Sequence, residues 1–221
     1  MRKFSIAAVA ASAAVLTALA GTAQAASTTH VLTVGKAHGT AVKTGASLRT
    51  GLIKGTQIVF ALKAESLTCK VSNLVAVDGT NPKAKGTAVE LLKSQSFAKC
   101  SIHDKAIPGI KFRSLKASNL PYVVSVSDKK GDPVKVTGHL PSKPLVFTVV
   151  ASLGTITVTC EYQAKVINGH ANNKANGISF VNQKFTRVGT NPFCPASAGA
   201  TAFFGPVRDF SVKGHPKVFV N

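Results

Sequence analysis

Several residue types that often carry recognition or catalysis are scarce in this sequence of 221 residues. It has no tryptophan, two tyrosines, and only eight carboxylates against 27 lysines and arginines. With few aromatic side chains there are few platforms on which bases or sugars could stack, so we expect no specific nucleic-acid partner. With few, scattered carboxylates, neither a calcium site nor the facing carboxylate pair of a glycosidase is expected.

Motifs of catalysis and metal binding are also missing. The sequence has no G-x-S-x-G elbow of a serine hydrolase, and no two of its six histidines have the i, i+4 spacing of a helical zinc site. Its four cysteines include no C-x₂-C pair, the spacing typical of zinc and redox sites. We therefore predict no catalytic residue, no metal site and no cofactor. A hydrolase with a site dispersed along the chain remains the third-ranked hypothesis.

The first 25 residues have the pattern of a secretory signal peptide. Arg2 and Lys3 precede an uncharged apolar stretch, and Ala23-Gln24-Ala25 has the small-x-small form of a cleavage site. We expect cleavage after Ala25 and a secreted mature chain, residues 26–221; an uncleaved anchor helix is the alternative. No later apolar run approaches the roughly 20 residues of a membrane-spanning helix, so we expect none in the mature chain.

The net positive charge of the chain indicates which classes of partner to expect. Removal of Arg2 and Lys3 with the signal lowers the formal net charge from +19 to +17. Such a charge favours anionic cell-envelope polymers as partners, and another extracellular protein is the second class. The basic residues are mostly lysines and are thinly spread, which also suits a simple role in solubility.

Alternating apolar and polar residues predict β-strands along most of the chain. The clearest run is Thr155 to Val166, in which one face is apolar and the other polar. Val123 to Val136 has the pattern of a hairpin that turns at residues 129–132. Helical spacing is limited to a turn or two in Glu90 to Lys99. We predict an all-β fold, an antiparallel β-sandwich.

A weak internal repeat bears on the domains and the cysteines. Each half contains, in the same order, a Val-Phe pair, a Thr-Cys pair, a loop with asparagine, a Gln-x-Phe triplet and a second cysteine. The mature region is then either one unit or two similar Ig-like halves, roughly 40–130 and 131–221, and chance is the other explanation. Four cysteines in a secreted chain imply two disulfides with three possible pairings. The repeat favours Cys69–Cys100 and Cys160–Cys194.

Three loops are candidates for binding. Residues 78–86 and 168–177 are polar, follow the two Thr-Cys strands, and are either binding loops or solvated hairpin connections. The third, Phe193-Cys194-Pro195-Ala196, contains a proline and a cysteine and would suit insertion into a protease cleft.

Short motifs spread over most of the mature chain carry a family resemblance. They are Thr68-Cys69, Asn81-Pro82, Phe97 with Cys100, Leu120-Pro121-Tyr122, Gly154-Thr155 before Cys160 and Tyr162, Phe180 with Gln183 and Phe185, Cys194-Pro195, Gly205-Pro206-Val207 and Val218-Phe219-Val220-Asn221. In these the chain resembles uncharacterised secreted β-rich, four-cysteine proteins of actinobacteria, a group with no established activity. The resemblance implies export and paired cysteines, and it transfers no catalytic or binding residue.

These observations rank three functions. The first is a secreted, non-enzymatic binding or structural protein, associated with the cell envelope through its basic surface. The second is a secreted protease inhibitor or effector that presents a disulfide-clamped loop. The dispersed hydrolase is the third.

Overall fold

The computed structural model describes residues 29–62, 65–104 and 108–221, and these residues form sixteen β-strands and no helix. The all-β prediction is therefore confirmed, whereas the predicted signal peptide, residues 1–25, lies outside the described residues. The strands are β1 Leu32–Val34, β2 Thr40–Ala41, β3 Ser47–Gly51, β4 Ile58–Leu62, β5 Glu65–Thr80, β6 Thr87–Asp104, β7 Ile110–Ser118, β8 Tyr122–Ser127, β9 Pro133–Gly138, β10 Leu145–Leu153, β11 Ile156–Ala164, β12 Val166–Asn172, β13 Gly177–Arg187, β14 Ser197–Phe204, β15 Arg208–Asp209 and β16 Val218–Val220.

Eight strands of the main sheet close into an antiparallel β-barrel, so the predicted plain β-sandwich is wrong. The order around the barrel is β4, β5, β6, β8, β9, β12, β13 and β14, and β14 pairs back with β4. The prediction of two Ig-like halves is wrong as well, because four neighbouring strands from each half, β4, β5, β6 and β8 from the first and β9, β12, β13 and β14 from the second, complete one barrel. Alternation in the sequence reports which face of a strand is buried, and it carries no information about which distant strand lies beside it.

Glycines stand at two of the pairings that close the barrel. Gly169 of β12 lies opposite Phe180 of β13, and a Cβ at Gly169 would lie 2.7 Å from the Phe180 ring and 2.5 Å from the carbonyl oxygen of Ser179. Gly199 of β14 pairs with Ala61 of β4. Because a glycine leaves room for a ring or a backbone to lie directly on it, β13 approaches β12 closely at Gly169. At Gly199 a Cβ would instead lie 2.7 Å from the side-chain oxygen of Asn182 in β13.

Three further strands continue the sheet beyond β13 and pack against the barrel. They follow in the order β11, β10 and β7. Phe147 of β10 makes edge-to-face contacts with Phe60, Phe97 and Phe185, at ring-centroid distances of 5.6, 5.8 and 5.2 Å. Since these three rings belong to three different barrel strands, Phe147 joins the extension to the barrel core.

A small sheet of β16, β1 and β2 brings the two ends of the described chain together. Both polar loops predicted from the sequence hold this sheet. The Asn81 side chain donates to the carbonyl oxygens of Leu32 and Val42, at 2.8 and 3.0 Å, and accepts from the Leu32 amide. The Asn173 side chain donates to the carbonyl oxygen of Val220 and accepts from its amide. The loops therefore fasten the terminal strands to the barrel.

Of the predictions for individual segments, the structure confirms one and corrects two. The hairpin of residues 123–136 is confirmed, because β8 pairs with β9 and the Asp132 amide donates to the Lys129 carbonyl oxygen in the turn. Residues 90–99, predicted as a short helical turn, belong instead to β6. The long strand predicted over 155–166 ends at Ala164, and Ile156 on its apolar face is 56% exposed.

The four cysteines form two disulfides. Cys69–Cys100 joins directly paired residues of β5 and β6, and Cys160–Cys194 joins β11 to the loop between β13 and β14. Two disulfides are compatible with an extracellular location. Within the part of the chain that the structure describes, no helix has the length and hydrophobicity needed to cross a bilayer.

Candidate functional site

The barrel contains a partly open cavity of about 100 Å³. Aromatic and aliphatic side chains make up most of its wall, because the inward-facing residues of the barrel strands alternate with outward-facing polar ones. The apolar lining comprises Leu48, Ile58, Phe60, Leu74, Ala76, Leu92, Tyr122, Val124, Val136, Leu145, Phe147, Ile167, Ile178, Phe180, Phe185, Ala200, Ala202, Phe204 and Val207. A second cavity of about 40 Å³ lies between the barrel and the small terminal sheet.

Glu90 lines both cavities. It lies in β6 between Val124 of β8 and Asp78 of β5, and only 8% of its surface is exposed. The β6 segment Ala88-Val89-Glu90-Leu91-Leu92 explains this position, since Ala88 and Leu92 are buried and alternation puts Glu90 on their face. A carboxyl group is therefore aimed into a largely apolar space.

Two more carboxylates lie behind Glu90. Asp78, directly opposite Glu90 in the β5–β6 pairing, is 1% exposed, and neither of its carboxylate oxygens has a hydrogen-bond partner. Asp209 of β15 is 2% exposed, and its Oδ1 accepts a hydrogen bond from the Ser211 amide. Directly paired antiparallel residues have Cβ atoms about 5 Å apart, so Asp78 and Glu90 form a close pair of acids.

One basic residue lines the cavity, and it contacts an aromatic ring outside the group of acids. Arg49 is an exposed residue of the lining, and its guanidinium carbon lies 4.6 Å from the centre of the Phe210 ring. His215 also stacks on Phe210, with the two ring centres 4.1 Å apart. Among residues 29–62, 65–104 and 108–221, no lysine or arginine forms an ion pair with Asp78, Glu90 or Asp209.

The acids consequently hold their protons more tightly than usual. Burial, and then the negative charge of Asp78, raises the pKa of Glu90 from 4.5 to about 8. Burial, and then the charge of Asp209, raises the pKa of Asp78 from 3.8 to about 6. At neutral pH Glu90 is therefore mostly a neutral carboxylic acid, which can donate a hydrogen bond or lose its proton to a nearby cation.

Among the described residues, the groups around this cavity offer few of the side chains that metal binding or hydrolysis uses. In the described part of the chain no three histidine, cysteine or acidic side chains are placed to hold a metal ion. The described residues that line the larger cavity include no histidine. His103 Nε2 lies 3.1 Å from Ser101 Oγ, but this pair stands on β6 outside the cavity wall, with His103 exposed.

The third candidate loop is exposed and anchored. Phe193 is 62% exposed, while the adjacent Cys194 is buried and bonded to Cys160. Arg187 Nη1 donates to the carbonyl oxygens of Asn191 and Cys194, which fixes the loop from inside. The loop therefore presents one large apolar side chain on a constrained backbone.

Sequence reasoning missed the acid pair. It assigned Asp78 to a polar loop and Glu90 to a short helical turn, whereas they belong to β5 and β6. A signal was present, because Leu74-x-Ala76-x-Asp78 and Ala88-x-Glu90-x-Leu92 each place an acid in line with apolar residues. Val89 and Leu91 obscured it, since both faces of that strand contain apolar residues.

Comparisons with known proteins give no match: no family model, no curated protein and no solved structure is similar to this chain.

Proposed function

We propose that the protein is an extracellular, non-enzymatic binding protein that holds a small, largely apolar molecule inside its barrel. The observation that carries this proposal is the cavity of about 100 Å³ with its wall of aromatic and aliphatic side chains. An apolar cavity of about 150 Å³ in another protein stays dry and binds benzene. The cavity here is smaller, about 100 Å³, so its volume limits the ligand to about one ring. The interior of an eight-stranded barrel is either filled by its own side chains or wide enough to hold one small ligand.

Toluene is a suitable probe for this function. We expect it to shift the amide resonances of residues that line the cavity in a saturable way. Ala202→Leu should abolish the shifts, because Ala202 lines the cavity and leucine adds three carbon atoms to that space. The matched control is Ala61→Leu, since Ala61 is exposed on β4. Wild-type protein whose resonances do not move at saturating toluene would contradict the proposal.

The basic surface supports a second element of this function, retention at an anionic cell envelope. Every lysine among the described residues is exposed, whereas Asp78, Glu90 and Asp209 are buried. The positive charge therefore lies at the surface while part of the negative charge does not, which strengthens attraction to polyanions. Retention on washed cells should fall from low to high salt as the charges are screened. Retention that is independent of salt would rule out this element.

The exposed Phe193 loop supports a second candidate function, inhibition of an extracellular protease. A constrained loop loses little entropy on entering a cleft, and Phe193 would occupy an apolar specificity pocket. The test is a panel of proteases that cleave after large apolar residues, with Phe193→Ala as the control variant. No inhibition at about micromolar concentration, the affinity range of even a modest complex, would eliminate this candidate.

A further inference from the structure

The buried acids lack a cation although the chain is rich in lysine. Of eight carboxylates in the sequence, Asp78, Glu90 and Asp209 are buried, and Asp78 is directly paired with Glu90, whereas the described lysines are all exposed. A buried charge is costly unless it is paired, and Asp78 has two buried oxygens with no hydrogen-bond partner. Glu90 faces the cavity with no ion-pair partner among the described residues. The described residues therefore supply no positive charge to pair with these buried acids.

From this juxtaposition we propose that the cavity binds a small amine in its ammonium form, with the ammonium group against Glu90 and the apolar body among the phenylalanine rings. The inference rests on the proposed binding function and specifies its ligand class. Phe60, Phe147 and Phe180 line the same cavity as Glu90, and aromatic faces attract a cation as well as an apolar group. One ligand thus satisfies both the carboxyl group and the apolar wall.

A divalent metal ion fits the site less well. Calcium takes six to eight oxygen ligands, and magnesium demands six in an octahedron. Around Glu90 the wall is formed by Val124 and other apolar side chains, and the described residues offer no third metal-ligating group with the pair. An ammonium ion needs fewer acceptors and brings its own hydrophobic group.

The other polar groups near Glu90 already have other contacts, so none of them takes the place of the ammonium group. Arg49 contacts Phe210, the Tyr122 hydroxyl bonds to the backbone of Val146, and Asp209 accepts from a backbone amide. Binding of the ammonium ion displaces the proton of Glu90 to solvent. With a Glu90 pKa of about 8, we expect a release of about 0.9 proton per ligand at pH 7.

Calorimetry with three probes tests the proposal: benzylamine, benzyl alcohol and toluene, at pH 7 in buffers of different ionisation enthalpy. Benzylamine should bind about ten- to a hundredfold more tightly than toluene, as expected for a charge-assisted contact, and only benzylamine should release a proton. Glu90→Gln should remove both the advantage and the proton release while toluene still binds. Glu161→Gln, which makes the same replacement at an exposed position, should behave like the wild type.

The outcomes separate this inference from the binding function beneath it. If toluene and benzyl alcohol bind as tightly as benzylamine and no proton is released, the ammonium inference is wrong and the apolar binding function stands. If no probe binds, both are wrong. Proton release is measured on the wild-type protein, so the inference stays testable even if Glu90→Gln does not fold.

Discussion

Replacing Glu90 with glutamine should change how the stability of the protein depends on pH. An acid whose pKa is higher in the folded than in the unfolded chain binds more protons when folded, so the free energy of unfolding falls as pH rises between the two pKa values. For Glu90 that window runs from 4.5 to about 8. At about 1.4 kcal/mol per pH unit the full loss is on the order of 5 kcal/mol.

The part of this loss above pH 6 belongs mainly to Glu90, because the pKa of Asp78 is raised only to about 6. We therefore expect the wild type to lose about 2–3 kcal/mol more than Glu90→Gln between pH 6 and 8. Urea unfolding at several pH values measures both proteins, and Glu161→Gln controls for a change of surface charge. Contributions that are common to all three proteins cancel in the difference. Parallel curves for the wild type and Glu90→Gln over this range would refute the assignment of Glu90 as a buried, unpaired acid.

Three further changes test the fold. Replacing Cys160 and Cys194 together with serine should lower the free energy of unfolding by about 3–4 kcal/mol, since their loop spans 34 residues, and toluene should still bind; an unchanged urea midpoint would contradict this. Phe147→Ala should cost about 3–5 kcal/mol in the same assay because it removes three ring contacts, and a loss under 1 kcal/mol would show that the ring is not buried. Asn173→Ala should speed hydrogen exchange at the Val220 amide, whose partner is lost, and unchanged exchange would argue against the contact between loop and terminal sheet.

The sequence is enough to predict an all-β fold, but it does not show that the strands close into a barrel. Tyr122, Val124 and Val126 alternate with half-buried residues on one strand, and this local pattern is enough to predict a strand with one buried face. Closure depends on pairings such as Ala61 with Gly199, which lie far apart in the chain. No local rule connects them, so a sandwich and a barrel remain equally consistent with the same alternation.

The candidate site was harder to predict, for a related reason. Its acids come from β5, β6 and β15, and each alone resembles an ordinary surface carboxylate in the sequence. Only the pairing of Asp78 with Glu90 and the burial of both show that two acids share one apolar place. The motif searches that excluded metal and hydrolase signatures could not detect a site made of one carboxyl pair and a hydrophobic wall.

A crystal structure of the wild-type protein grown with benzylamine at pH 7 tests the central claim most directly. We expect electron density for one benzylamine inside the barrel, with its ring near Phe147 and its nitrogen within hydrogen-bond distance of the Glu90 carboxylate. An interior filled by protein side chains, or benzylamine found only on the outer surface, would contradict it.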